Sequence, residues 1–243
     1  MTLFMRAALS LLQRMQNPAL LPVGMQYVER FLPPDEKGLD LLLECAADPS
    51  WVTRYLAAKN IGAHYATSPD RVWDALVRLT HDPERFVREG VPLSLAAIAA
   101  SEFVPGIEDK MMALARSDDA HVRRASAYSA LVLWRQENCE ALRTAVLTQV
   151  ARKRTDGIGR LLGRRIVAEE VARIDESGAM ALVETWAASA DPALKWQAQQ
   201  ALQGTLAKAF PQRVARLRES LDTAEDIPWV AASVPGGEIE ERV

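Results

Sequence analysis

Apolar positions along the chain recur at helical spacing, in paired segments separated by short polar breaks. Val72, Ala75, Leu76 and Leu79 fall on one helical face. So do Ile107, Met111, Leu114 and Ala115, and again Ala179, Leu182, Val183 and Trp186. Each such segment is followed by a second helical pattern, as in Val122, Ala125, Ser126, Ala130 and Val132-Leu133. No stretch alternates with period two, so no sheet is expected. The breaks carry helix-start signals at Asp48-Pro49, Asp82-Pro83, Asp118-Asp119 and Asp191-Pro192. Asp accepts from the free N–H groups of a first turn, and Pro at the first helical position gives up no bond. Second helices are therefore predicted to start near residues 50, 84, 119, 156 and 191.

The aliphatic anchors Val52, Val87, Val122, Ile158 and Leu194 follow these starts at spacings of 35, 35, 36 and 36 residues. Asn17-Pro18 opens an earlier, degenerate copy. Small residues (Ala57, Ala127, Gly163) sit five positions after their anchors, where close helix packing needs them. A helical pair of about 35 residues cannot bury its apolar stripe alone, so stacked copies are required. The Asp82 to Arg88 segment, D-P-x-x-x-V-R in pattern, resembles HEAT repeats, and the resemblance spans about residues 17 to 209. The expected fold is all-α, a right-handed α-solenoid of about six HEAT-like pairs over residues 1–221. Residues 222–243 carry six acidic side chains against Arg242, with Pro228, Pro235 and Gly236-Gly237, and read as an acidic, mobile tail.

Composition narrows the classes. The chain has 243 residues, 49% hydrophobic and only 6% aromatic, with net charge -3. Enough apolar residues exist for a core, and bulk charge does not announce a nucleic-acid binder. No apolar run of 18 residues exists, which excludes an ordinary transmembrane helix. Arg6 interrupts the N-terminal apolar stretch, which reads as a helix rather than a signal peptide. Cys45 and Cys139 form no C-x-x-C, so a reduced, cytoplasmic setting is expected.

Local charge is more telling. Residues 116–165 hold eleven Arg or Lys against five Asp or Glu, a net +6. That stretch includes Arg152, Lys153, Arg154, Arg160, Arg164 and Arg165. A basic residue also follows each anchor: Arg54, Arg88, Arg123 with Arg124, Arg160 and Lys195. Equivalent positions of stacked repeats share one surface, so these residues are expected to form a cationic row suited to a phosphate backbone. The competing expectation for such an arginine is a bond to the Asp of a neighbouring repeat, which would make the row a salt-bridge ladder.

Two segments resemble the helical-repeat alkylpurine DNA glycosylases. They are Phe86-Val87-Arg88-Glu89-Gly90-Val91-Pro92 and Arg116-Ser117-Asp118-Asp119-Ala120-His121-Val122-Arg123-Arg124-Ala125, with a third at Leu162 to Val167. The resemblance implies duplex DNA held on a concave basic face, with an aspartate, tryptophans and an arginine around the damaged base. Arg124 falls on the family's arginine. Arg88 falls where the catalytic aspartate belongs, with Glu89 beside it, and Glu84 and Arg164 replace tryptophans. The groups that would stabilise an oxocarbenium and embrace a cationic base are thus absent from those positions. Only Glu89 offers a carboxylate for catalysis.

Other chemistry is sparse. His64, His81 and His121 lie in different repeats, and no metal-ligand spacing occurs, so neither metal nor cofactor is expected. His81 and His121 sit at turns and are expected to be exposed. Trp73, Trp134 and Trp186 fit the core pattern, whereas Trp51 and Trp196 lie near the basic row. Three functional readings follow. The first is a nucleic-acid-binding repeat protein without the usual glycosylase groups. The second is a protein–protein scaffold whose groove takes an acidic partner. The third is a glycosylase that uses Glu89.

Overall fold

The computed structural model describes residues 32–33, 35–101, 106–153 and 157–222. The earlier copy at Asn17-Pro18, Arg154 and the acidic tail beyond Asp222 lie outside these residues. Everything described is helix, turn or loop, and no strand occurs among the described residues. The packing divides into two compact units, one ending at Gly159 and the other starting at Arg160.

The first unit is a helical-repeat array. Its pairs are α1 (Glu36–Cys45) with α2 (Trp51–Asn60), α3 (Pro69–Leu79) with α4 (Arg85–Ala99), and α5 (Ile107–Arg116) with α6 (Ala120–Leu133). Helix α7 (Glu140–Ala151) follows, and α8 (Gly157–Leu161) crosses into the second unit. Leu39 and Leu42, Val72 and Leu76, and Met111 and Ala115 are the buried stripes of the first helices, as their spacing predicts. Second helices pack on one another in series, α2 along α4 and α4 along α6. Leu56, Val91, Leu95, Ile98 and Leu133 fill that layer and are almost wholly buried. Each contributes about 2 kcal/mol by leaving water.

Helix starts fall where expected, with N-caps at Ser50, Glu84, Asp119 and Asp191. The Asp-Pro pairs, however, are not equivalent. At Asp191-Pro192 the Asp caps the Ala193 N–H and Pro opens the helix. At Asp48-Pro49 and Asp82-Pro83 the pair lies two residues further out, before the N-caps Ser50 and Glu84. There the carboxylates accept from the N–H of Ser50 and Glu84 at 2.7 and 2.9 Å. Ser117 and Ser189 do the same work for Asp119 and Asp191. The true register aligns Asp48, Asp82, Ser117 and Ser189. It corrects the first anchor from Val52 to Thr53, which is buried at 2% exposure.

The second unit carries a departure from ordinary helix. After α8 the backbone continues as a π-helix over Leu162–Val171, closed by a turn at Ala172–Ile174. Its buried residues are Leu162, Gly163, Ile166, Val167, Ala168 and Val171. Leu162 and Val167 are five apart, as are Ile166 and Val171, so the i→i+5 ladder sets each pair one above the other. Helices α9 (Glu176–Ala187), α10 (Pro192–Ala201), α11 (Gly204–Ala209) and α12 (Pro211–Asp222) complete the unit. Gly163 is where a close approach forbids a side chain: a Cβ there would lie 2.4 Å from the Gln197 carbonyl oxygen.

Candidate interaction site

The basic row begins with three arginines at one register. Arg54, Arg88 and Arg123 each close the first turn of a second helix, and their main-chain N–H groups reach Ser50, Glu84 and Asp119. That position aims the guanidinium back over the preceding loop. Arg54 Nη1 donates to the carbonyls of Asp48 and Pro49 at 2.9 and 2.8 Å. Arg88 Nη1 donates to those of Asp82 and Pro83 at 2.5 and 2.8 Å. Arg123, only 3% exposed, donates to the Ser117 carbonyl. These loop carbonyls have no helical donor, so each arginine satisfies groups that would otherwise lose water for nothing.

Arg54 also spans to the next repeat, through Nε and Nη2 on the Asp82 carboxylate. Burial pushes the Asp82 carboxyl up, but the bonds from Arg54 and the Glu84 N–H outweigh it and hold the group below the ordinary carboxylate range. Lys153 bridges in a similar way to the Ser117 carbonyl and the Asp118 carboxylate. The ladder expected as the competitor to a cationic row therefore exists at Arg54–Asp82 and Lys153–Asp118.

One repeat position further along, the side chains face a pocket. Glu89 and Arg124 lie one after the other on α4 and α6, and between these helices a cavity of about 230 Å³ opens. Pro92, Leu93, Ala125 and Val132 make its apolar lining, with Arg88, His121, Arg124 and Tyr128 adding polar groups. Pro92 sits inside α4, where it cannot donate to the Arg88 carbonyl one turn back. Arg124 lies over the Tyr128 ring, 5.2 Å from its centroid. Glu89 is exposed and is bound by Arg85 Nε at 2.7 Å. The candidate residues Arg88, Glu89 and Arg124 are thus brought to one place. Arg152, Lys153 and Lys195 do not line it, and Arg160, Arg164 and Arg165 belong to the second unit.

Beside the pocket, His81 Nε2 meets the Asp119 carboxylate at 2.8 Å, and His81 Nδ1 lies 3.1 Å from the Val77 carbonyl. Both ring nitrogens face acceptors, so the imidazolium is favoured and the Asp119 bond raises the histidine above its ordinary value. The Asp119 carboxyl is held at about 2, chiefly by that same bond. His121 is the near neighbour, 5.7 Å from the His81 ring. Both histidines are exposed, as expected.

Aromatic residues extend the surface. Phe86 is 57% exposed and stacks on Trp51, with ring centroids 5.5 Å apart. Phe86 and Leu93 share a stripe of α4 with Glu89 between them, so the stack and the pocket lie on one helix face. Trp134 and Trp186 are core residues as predicted. Trp73 is not: it is half-buried, meeting Tyr65 edge-on with Lys110 5.1 Å from its ring. Sequence reading missed Tyr128, Leu93 and the Trp51–Phe86 pair. The shared register of Tyr55, Glu89 and Arg124 was the signal that would have found this face.

In the second unit Arg160, Arg164 and Arg165 are exposed and Lys195 is half-buried. Arg165 Nε lies 3.9 Å from Glu170. Among the described residues, no carboxylate pairs with Arg160 or Arg164. No helix described is long and apolar enough to cross a membrane. Burial pushes the Cys45 thiol to about 12, far from a reactive thiolate.

Residues 39–132 are similar to HEAT repeats. The match takes in α1 through α6, the whole of the pocket, but less than half of the chain. No curated protein and no solved structure matches. Nothing in these comparisons supports the likeness to alkylpurine DNA glycosylases. The chain is an all-α helical-repeat protein, with its HEAT-like part in the first unit.

Proposed function

We propose that the chain is a protein-interaction module whose partner docks along the second-helix face of the first unit. One observation carries this reading. The row of arginines at the first register is held on loop carbonyls, whereas Arg124 at the next register and Tyr128 stay partly open beside an apolar pocket, and the partly open Trp51–Phe86 stack lies on the same second-helix face. Aromatics and arginine beside an apolar pocket are the composition of interface hot spots, while lysine and glutamate are depleted there. Selection from a random peptide library tests it. Selected peptides should bind with Kd below about 100 μM and compete with one another. Binding should be lost in Phe86→Ser and Leu93→Glu variants that melt like wild type. A library that yields no binder, or binders indifferent to both substitutions, overturns the reading.

Nucleic-acid binding is the second reading, and the exposure of Arg160, Arg164 and Arg165 in the second unit favours it. Three cations on neighbouring turns support contact with a phosphate backbone but not base recognition.

A further inference from the structure

We infer that the α4–α6 pocket recognises a bulky apolar side chain flanked by a carboxylate, so that the partner presents an acidic–apolar segment. This inference rests on the protein-interaction reading and specifies its ligand. The pocket's size sets the first requirement. About 230 Å³ of water-accessible space corresponds to room for roughly ten or more non-hydrogen atoms, enough for a Leu or Phe side chain with adjoining backbone. Its lining from Pro92, Leu93, Ala125 and Val132 offers such a side chain dispersion contacts and no competing polar partner.

Charge sets the second requirement. Each arginine and carboxylate at the mouth is accounted for except one. The Glu89 carboxylate is neutralised by Arg85. The Arg88 guanidinium is held by the Asp82 and Pro83 carbonyls. Asp119 is occupied by His81 and by the N–H groups of His121 and Val122. Arg124 is different. Its guanidinium lies over the Tyr128 ring, 5.2 Å from the centroid, and no described carboxylate meets it. The ring holds the half-buried cation beside the pocket, and a guanidinium placed there can take a carboxylate through two parallel N–H bonds. A lysine-flanked segment would bring like charge against Arg124, and an apolar segment without an acid would leave the cation half-desolvated and unpaired.

Three fluorescein-labelled dodecapeptides, with Gly-Ser flanks and a centre of Glu-Leu-Glu-Phe, Lys-Leu-Lys-Phe or Glu-Ser-Glu-Phe, test this by anisotropy against the full chain. The first should bind at least tenfold more tightly than either of the others. Arg124→Gln should weaken it by about fivefold to tenfold and erase its advantage over the lysine peptide, and Arg124→Lys should retain most of that advantage. Leu93→Glu should abolish binding, with thermal melting of each variant matching wild type. Equal affinity for the glutamate and lysine peptides, or indifference to Arg124→Gln, overturns the inference. If library-selected peptides bind but the Glu-Leu-Glu-Phe peptide does not, the inference fails and the interaction reading stands; if neither binds, both fail. Displacement of that peptide by a 16-base-pair DNA duplex, lost in Arg124→Gln, would assign the pocket's cation to phosphate and also overturn the inference.

Discussion

Arg54 and Asp82 join the first repeat to the second through two parallel bonds, Nε to Oδ2 at 2.6 Å and Nη2 to Oδ1 at 3.0 Å. The same guanidinium closes its own loop through Nη1. Both side chains are largely shielded, at 14% and 6% exposure. Truncating Asp82 therefore leaves a shielded guanidinium without its anion and the Glu84 N–H without its acceptor. Asp82→Ala is expected to cost about 2–4 kcal/mol, since stripping one partner from a buried pair costs more than the pair itself contributes. For a chain of this size that lowers Tm by roughly 5–15 °C. The double variant Arg54→Met/Asp82→Ala should be less destabilised than the sum of its singles. Additive losses would show that the two side chains act independently.

Two glycines mark places where helices meet backbone to backbone. The Gly62 N–H donates to Ser94 Oγ at 3.0 Å, and the Gly163 N–H to Gln197 Oε1 at 2.9 Å. A Cβ on either would sit 2.4 Å from the carbonyl oxygen of its partner residue. A main-chain carbonyl cannot swing aside, so Gly62→Ala and Gly163→Ala should each destabilise by about 2 kcal/mol or more, by overpacking. Ser94→Ala, which loses only the buried bond, should cost about 1–2 kcal/mol. Chemical denaturation reads all three. A Gly163→Ala variant as stable as wild type would refute the close approach.

Much of this architecture was legible before folding, because helix starts are written locally. Asp119 and Asp191 are ordinary caps, and the repeat period places them, with Ser50 at the same position but without a side-chain cap bond. The register of the first repeat was not legible in its Asp-Pro pair. Asp48-Pro49 and Asp191-Pro192 are the same dipeptide in two roles. What separates them is the partner six residues past the loop acid, Arg54 for Asp48, which pulls the loop carbonyls inward. That contact is local, and its spacing of six residues recurs from Asp82 to Arg88, so the arginine rather than the Asp-Pro pair marks the register. The pocket was harder still. Leu93 and Tyr128 are 35 residues apart in the chain and acquire meaning only when α4 lies along α6. The π-helix, by contrast, left a trace in apolar pairs five apart, Leu162 with Val167 and Ile166 with Val171.

The His81–Asp119 clasp makes stability depend on pH in a definite window. His81 is raised above its ordinary value of about 6.5, so its contribution is complete below that pH and is lost as pH rises through the folded value. Asp119 is depressed to about 2. Its contribution is complete above its unfolded value of about 4 and is lost as pH falls from there toward 2. The clasp is thus strongest between about pH 4 and 6.5. Both side chains are more than 40% exposed, so the effect is at most about 1 kcal/mol. His81→Ala should lower Tm more at pH 5.5 than at pH 8.5. An equal drop at both would mean that the ring acts by packing alone.

Duplex binding separates the two functional readings by counting free cations. Backbone contact releases counterions with a log–log salt slope near −0.9 per phosphate on B-DNA. Had the whole arginine row faced the groove, four to six contacts would give roughly −4 to −5. Arg88 and Arg123 are committed to loop carbonyls and Lys153 to Ser117 and Asp118. Arg160, Arg164 and Arg165 remain as exposed cations of the second unit, where three contacts correspond to about −3 at most, and Arg124 of the first unit adds no more than about one further contact. Titrating a labelled duplex at several salt concentrations should give a slope no steeper than that. Changing those three arginines to Ala should flatten it toward zero without shifting the melting curve, since their side chains cover no core. A slope near −5 that also responds to Arg88→Gln and Arg123→Gln would mean that those guanidinia leave their loops to meet DNA, and would favour the nucleic-acid reading over the protein partner.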